Sequence, residues 1–115
     1  MAGSLIKIDE EIVTSAVASV TLGGTDWDSS YDVYMVNLNN VIADTDSVNL
    51  QLRFTASSTP QTTANYDRAY KPLRAATAFG ASYGTNQTSM TAIAGLTNGN
   101  NTQETTQAIQ YLFNF

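Results

Sequence analysis

The sequence contains neither cysteine nor histidine among its 115 residues. Without cysteine, the chain can form no disulfide, no zinc–thiolate site and no thiol nucleophile. Without histidine, it lacks the commonest general base at neutral pH, the commonest metal ligand and the Ser-His and Cys-His dyads. It also has no phosphate-binding loop and no nucleophile elbow. We therefore expect no enzymatic activity and no cofactor.

Charge and long apolar runs are also scarce. Charged residues make up 13% of the chain, with five basic and ten acidic side chains giving a net charge of −5. Such a chain repels a phosphate backbone and has too few basic residues to line a groove. No window approaches the roughly 18 uninterrupted apolar residues of a membrane span, and the N-terminal residues lack a signal-peptide pattern. We expect a soluble protein with no nucleic-acid partner, no membrane contact and no secretion signal.

The residues that are abundant indicate a β-protein. Hydrophobic residues form 43% of the chain, and Thr, Ser, Asn and Gln supply most of its polarity. Thr fits a pleated surface, whereas Asn, Ser and Gly fit turns. The length is typical of one domain. The sequence predicts a single all-β domain over residues 1–115, an antiparallel β-sandwich or jelly roll with about six to eight short strands.

The stretch 31–38 carries apolar side chains on both faces of a period-2 pattern. One face holds Tyr31, Val33 and Met35, and the other holds Tyr34, Val36 and Leu38. A strand with apolar side chains on both faces must be covered on both faces by other parts of the protein. This pattern predicts a central strand, entered through a turn at residues 23–30, where Gly, Asp and Ser concentrate.

The patterns in the remaining segments predict further strands and the loops between them. Residues 48–55 alternate and predict a half-exposed strand, with a turn before it at 44–47. Residues 66–74 predict an extended strand or twisted connection, residues 89–94 a weak strand, and the end of the chain a closing strand. The ranges 56–65, 79–88 and 98–102 have the composition of loops or turns.

The N-terminal segment has two interpretations. Apolar residues from Ile8 to Val20 approximate one face of a helix that Asp9 could cap. The competing interpretation is a pair of strands at 5–8 and 12–22, where Val, Ile, Thr and Ser are dense. The density of β-branched residues favours the strands.

Four stretches together resemble a family. They are residues 18–41, with the turn Thr21-Leu22-Gly23-Gly24 and two tyrosines in the strand that follows; residues 46–54, with Leu50-Gln51-Leu52-Arg53; residues 65–71, beginning Asn65-Tyr66-Asp67; and the ending Ile109-Gln-Tyr-Leu-Phe-Asn-Phe115. In this order they resemble virion proteins of tailed bacteriophages, with marine and cyanobacterial phages the nearest group. Members often continue beyond the last strand, so we expect this sequence to be truncated at its C-terminus.

The resemblance implies a β-sandwich component of a virus particle, without indicating which surface of the particle it occupies. We expect the protein to be made in the host cytoplasm and placed on the particle exterior. Our first hypothesis is a capsid decoration or cement protein, because the chain has no heptad stalk or collagen-like repeat to form a fibre shaft. Its partners would be the major capsid protein or tail components, and further copies of itself. The alternative hypothesis is a tail-fibre or receptor-binding module that binds carbohydrate, with a host glycan as partner.

Three sets of candidate site residues follow. Asp26 and Asp28, with Asp44 and Asp46, form two Asp-x-Asp pairs whose carboxylates are weak calcium candidates, although Asp is also common in turns. Trp27 lies in a predicted loop and is the candidate for stacking on a sugar ring, with packing as the alternative role. Strand addition between subunits would use the apolar residues near the two ends: Leu5, Ile6, Ile8, Tyr111, Phe113 and Phe115.

Overall fold

The computed structural model describes residues 4–28, 30–72, 80–92 and 98–113. Within these ranges every regular element is a strand, except for one 3-10 turn at Gly24–Asp26. This confirms the all-β class. The eight strands are β1 Val33–Val41, β2 Gln51–Leu52, β3 Thr55–Ala56, β4 Thr59–Pro60, β5 Tyr66–Tyr70, β6 Ser82–Gln87, β7 Met90–Thr91 and β8 Thr106–Phe113.

The strands pair two by two. Strand β1 pairs with β8, β2 with β7, β3 with β4, and β5 with β6, giving four antiparallel two-stranded sheets. In the described ranges no helix is long or apolar enough to cross a membrane.

The chain divides into two compact units. The first contains Met1–Met35 and Tyr111–Phe115, and the second contains Val36–Gln110. In the first unit, the Asp9 carboxylate accepts a hydrogen bond from the Gly23 amide at 2.9 Å. This bond closes residues 9–23 into a loop, which we call the N-terminal loop.

The second unit is held mainly by the β5–β6 ladder. Its register shifts between Tyr66 and Arg68, which marks a β-bulge. Asn86 has a φ of 54° opposite this irregularity, and its amide donates to the Asp67 carboxylate at 2.9 Å. The side chain of Asp67 therefore stabilises the strained backbone of its partner strand.

A tight hairpin joins β3 and β4. Ser57 and Ser58 both have positive φ, at 50° and 62°, as a two-residue turn of the mirror-image type requires. The Tyr66 hydroxyl accepts from the Phe54 amide at 3.2 Å and donates to the Gln61 carbonyl at 3.1 Å. That hydroxyl therefore ties together the two ends of the hairpin.

Several sequence predictions are wrong in detail. Residues 4–22 form no strand, and no backbone–backbone hydrogen bond joins them to another described residue. The predicted strand at 48–55 is interrupted: Val48 makes an isolated bridge with Asn98, and only residues 51–52 and 55–56 are strand. The predicted loops at 56–65 and 79–88 contain the β3–β4 hairpin and β6.

The predicted double cover of residues 31–38 is also wrong. Tyr34 is buried, and Val36 and Leu38 are half-buried. On the opposite face, Val33 and Met35 remain 46% and 40% exposed. Strand β1 therefore has cover on one face. Within the described residues it also pairs along one edge only, with β8, so it is not the central strand that the pattern predicted.

Candidate functional site

A cluster of three aromatic rings organises the first unit. The Trp27 ring stacks on Tyr34 with centroids 4.1 Å apart and an interplanar angle of 20°. Tyr31 meets Tyr34 edge-on at 5.8 Å and 81°. Tyr34 is only 6% exposed and is the one buried hydrophobic residue among those described. The rings of Trp27, Tyr31 and Tyr34 thus form the core of this unit.

The backbone around this cluster is fixed by two close contacts. The Tyr34 hydroxyl donates to the Asp28 carbonyl at 2.5 Å and accepts from the Asp28 amide at 3.1 Å. Gly23 has a φ of 91°, and a Cβ there would lie 3.1 Å from the Cβ of Trp27. Glycine is favoured at position 23 because the positive φ is strained for a residue with a side chain and a Cβ there would crowd Trp27.

Trp27 contributes to the packing of this unit through its stack on Tyr34, and it remains 37% exposed. Packing was the alternative role that the sequence left open for it. Carbohydrate stacking by Trp27 stays a prediction.

The carboxylate of Asp28 belongs to the turn that follows Trp27. It accepts a hydrogen bond from the Ser30 amide at 2.8 Å. This hydrogen bond from the Ser30 amide, together with one from the Ser30 hydroxyl, holds the pKa of Asp28 below its usual value of 3.8. Desolvation raises the pKa, but by less than the hydrogen bonds lower it. Hydrogen bonding to the charged form is therefore the dominant cause.

Among the described residues, no group of three or more carboxylate side chains is placed to hold a metal ion. These residues therefore supply no complete set of ligands for calcium. Asp26 and Asp28 belong to the first unit, and Asp44 and Asp46 to an exposed turn in the second. The side chain of Asp26 lies outside the described part of the chain, so the four-carboxylate site stays a prediction.

We expect acid to weaken the first unit through Asp28. A carboxyl group whose pKa is lower in the folded chain than in the unfolded chain stabilises the folded state at pH values above its unfolded pKa. This stabilisation is lost as the pH falls from about 3.8 through the lower folded pKa. Asp28→Asn should remove this part of the acid dependence, measured by urea unfolding with Trp27 emission. Asp46→Asn is the matched control and should keep the wild-type dependence. An Asp28 carboxyl that titrates above 3.8 by NMR would contradict the assignment.

No family model, curated protein or solved structure matches the chain. The function must therefore be argued from the surfaces that the structure presents.

The most prominent surface is the outer face of the β1–β8 sheet. Burial alternates along β8, with Ile109, Tyr111 and Phe113 outward and Ala108, Gln110 and Leu112 half-buried. In the first unit, Tyr111 and Phe113 are 61% and 65% exposed. Neither strand contains a charged residue. A neutral, aromatic, exposed sheet face is typical of a protein–protein interface.

The other predicted interface residues are also placed at the surface. Leu5 and Ile6 are exposed, and Ile8 is half-buried. Ile6 and Ile8 border an open cleft of about 270 Å³ with Asp28, Ser30 and Tyr31. Phe115 lies outside the described residues. The structure therefore leaves five of the six predicted interface residues accessible or partly accessible.

Sequence reasoning missed a hollow in this unit. The N-terminal loop borders an open hollow of about 400 Å³ with a mixed polar and apolar lining, formed by residues of the loop alone. Its apolar lining comes from Ile12, Val13, Val17 and Val20, and its polar lining from Ser and Thr hydroxyls and Glu11. No sequence signal marks this hollow, and the bond that closes the loop joins Asp9 and Gly23, which are fourteen residues apart.

Among the described residues of the second unit, two buried polar atoms have no hydrogen-bond partner, Arg68 Nε and Gln110 Oε1. Each side chain makes another hydrogen bond: Arg68 donates to the Thr91 hydroxyl, and Gln110 Nε2 donates to the Ala92 carbonyl at 2.5 Å. These bonds assign both residues to the packing of β5, β7 and β8. Lys71, directly after β5, is exposed.

Proposed function

We propose that this chain is a non-enzymatic structural protein of a tailed-phage particle, a decoration or cement protein of the capsid exterior. It acts through contacts with neighbouring subunits. One observation carries the proposal: in the described residues, Tyr34 is the only buried hydrophobic residue, whereas seventeen large hydrophobic side chains are more than a third exposed. So many exposed apolar side chains around so small a core favour cover by other chains.

The likeness to virion proteins supplies the identity of the assembly. The four stretches that carry it include the aromatic cluster of the first unit and β8, so they coincide with the core of that unit and with its exposed face. In this proposal the two-stranded sheets are layers of a β-sandwich whose apolar faces are completed by neighbouring subunits. The absence of histidine and cysteine supports a role without catalysis.

The proposal is tested by the copy number of the protein in purified particles. Quantitative mass spectrometry should find it in many copies, in a fixed ratio to the major capsid protein. Antibody labelling should decorate the whole capsid surface of intact particles. A few copies confined to the tail would instead support the receptor-binding alternative. Absence from particles would refute both roles.

A further inference from the structure

The sequence contains a single asparagine that is followed by glycine, at Asn98-Gly99. In this pair the asparagine side chain is chemically labile, because the backbone nitrogen of the next residue can attack its amide carbon. Glycine favours the attack, since it has no Cβ to obstruct its own nitrogen and its backbone bends freely. Every other asparagine of the chain precedes a residue with a side chain.

The fold holds Asn98 away from this reaction. The residue is 4% exposed, and its backbone exchanges hydrogen bonds with Val48 at 2.7 and 3.3 Å. Its side-chain oxygen accepts from the Thr106 hydroxyl at 2.9 Å. The antiparallel bridge keeps the backbone of residue 98 extended, whereas the reaction needs the side chain to turn back onto the next nitrogen. Ring closure therefore requires the bridge between residues 48 and 98 to open.

Gly99 is also fixed by its surroundings. Its carbonyl accepts from the Ala43 amide at 3.2 Å. A Cβ at this position would clash with the carboxylate of Glu104 and lie 3.0 Å from the Glu104 Cβ. That carboxylate accepts from the amide and the side chain of Asn101 at 3.2 and 3.0 Å, so moving it away would break these bonds. The turn therefore favours glycine after Asn98 and keeps the labile pair in the chain.

We propose that Asn98 is a deamidation site, which the folded second unit protects and which reacts when the bridge to Val48 opens. The Gly99 nitrogen forms a bond to Asn98 Cγ and loses its proton. The Cγ–Nδ2 bond breaks, and ammonia leaves with that proton. Water then adds to either carbonyl carbon of the cyclic imide and opens the ring. The products are aspartate and isoaspartate at position 98, and the net change consumes water and releases ammonia.

Either product prevents the original contacts from forming again. Aspartate places a charge at a buried position, where the Thr106 hydroxyl alone cannot replace the lost water. Isoaspartate adds an atom to the backbone and disrupts the register of the bridge to Val48. The reaction therefore converts a transient opening of the second unit into a lasting one.

This property goes beyond the proposed function and does not depend on it. All the contacts that protect Asn98 lie within the second unit. A chain that is absent from particles would still deamidate at this site, and a particle protein that never deamidates would still be a particle protein.

The first test compares the full wild-type chain with and without urea in mildly alkaline buffer. Peptide mapping by mass spectrometry follows the conversion of amide to acid at each asparagine. In urea, Asn98 should react first. In the folded chain it should react at least about 10-fold more slowly than in urea, because opening costs free energy. The rate at exposed Asn100, the internal control, should differ less between the two conditions.

The products identify the nucleophile. Fragmentation of the modified peptide distinguishes isoaspartate from aspartate at position 98. Attack by the Gly99 nitrogen should give both, because the cyclic imide opens at either carbonyl carbon. Aspartate alone would mean direct hydrolysis by water and would contradict the role of Gly99.

The second test loosens the asparagine side chain without changing the labile pair. Thr106→Val removes the hydroxyl that bonds to Asn98 and keeps a side chain of similar shape. In the folded chain it should speed the reaction roughly 5-fold to 10-fold, as the loss of one hydrogen bond predicts. The rate in urea should not change. Thr105→Val, at the exposed neighbouring position, is the matched control and should keep the wild-type rate. Circular dichroism should show that both variants are folded.

Four results would overturn the inference. Equal rates at Asn98 with and without urea would show that the fold gives no protection. A rate at Asn98 in urea no higher than at Asn100 would show that the pair is not labile. A folded Thr106→Val variant with the wild-type rate would show that the hydroxyl does not restrain the side chain; if this variant does not fold, the comparison of the wild type with and without urea decides. Purified deamidated chain with the urea midpoint of the wild type would contradict the lasting opening.

Discussion

Replacing Tyr34 with alanine should destabilise the first unit by about 3 kcal/mol, the lower end of the range for deleting a buried aromatic side chain. The substitution removes the stack on Trp27, the edge contact with Tyr31 and both hydrogen bonds to Asp28. It also empties the only buried hydrophobic position among the described residues. No neighbouring side chain can replace these contacts.

Tyr34→Phe separates the hydroxyl from the ring. It keeps the stack but leaves the Asp28 amide and carbonyl without their partner, and should cost about 1 kcal/mol. Tyr83→Ala, at an exposed tyrosine, should stay within about 0.5 kcal/mol of the wild type. Urea unfolding followed by circular dichroism measures all three. Trp27 emission is a second probe, since Trp27 is the only tryptophan. Equal losses for Tyr34→Phe and Tyr34→Ala would show that the stack contributes nothing.

The parts of the fold that the sequence predicts are those with local causes. Glycine, aspartate and serine place a turn at residues 23–30, and a 3-10 turn begins there. Alternation of apolar residues places β8, and the structure shows the same alternation in burial. The all-β class follows from the abundance of Thr, Ser and Asn. Each of these signals acts within a few residues of chain.

The parts that the sequence does not predict depend on distant partners. Residues 12–22 are as rich in β-branched side chains as a strand, yet they form none, because a strand needs a neighbour to accept its hydrogen bonds. Strand β6 contains Gly84 and Asn86, which indicate a turn, but pairing with β5 and the Asp67 carboxylate hold it extended around a bulge. The Ser57-Ser58 hairpin lacks the usual Asn-Gly signal.

The same distinction applies to the candidate sites. The alternation that leaves Tyr111 and Phe113 of β8 exposed follows a local sequence pattern, and their role as interface residues stays a prediction. The hollow in the N-terminal loop was not predictable, because its lining residues carry no pattern that marks a cavity and the bond that closes the loop joins Asp9 to Gly23, fourteen residues further along the chain.

A second large effect is expected in the other unit at Asn98, the one buried polar residue among those described, at 4% exposed. Its backbone exchanges hydrogen bonds with Val48 at 2.7 and 3.3 Å. Its side-chain oxygen accepts from the Thr106 hydroxyl at 2.9 Å. Asn98 therefore joins Val48, which it contacts through its backbone, to the start of β8, which it contacts through its side chain.

Asn98→Asp should destabilise the chain by about 3 kcal/mol at neutral pH, because one hydroxyl donor cannot offset the loss of water around a buried charge. Desolvation raises the pKa of the introduced carboxyl in the folded state, so the loss is fully present above that folded pKa. This loss of stability becomes smaller as the pH falls towards the pKa that the same carboxyl group has in the unfolded chain, because the protonated acid is neutral. Asn49→Asp adds the same charge at an exposed position and should have little effect. Urea unfolding at neutral and acidic pH measures the difference. A loss that does not change with pH would mean that geometry, and not charge, governs position 98.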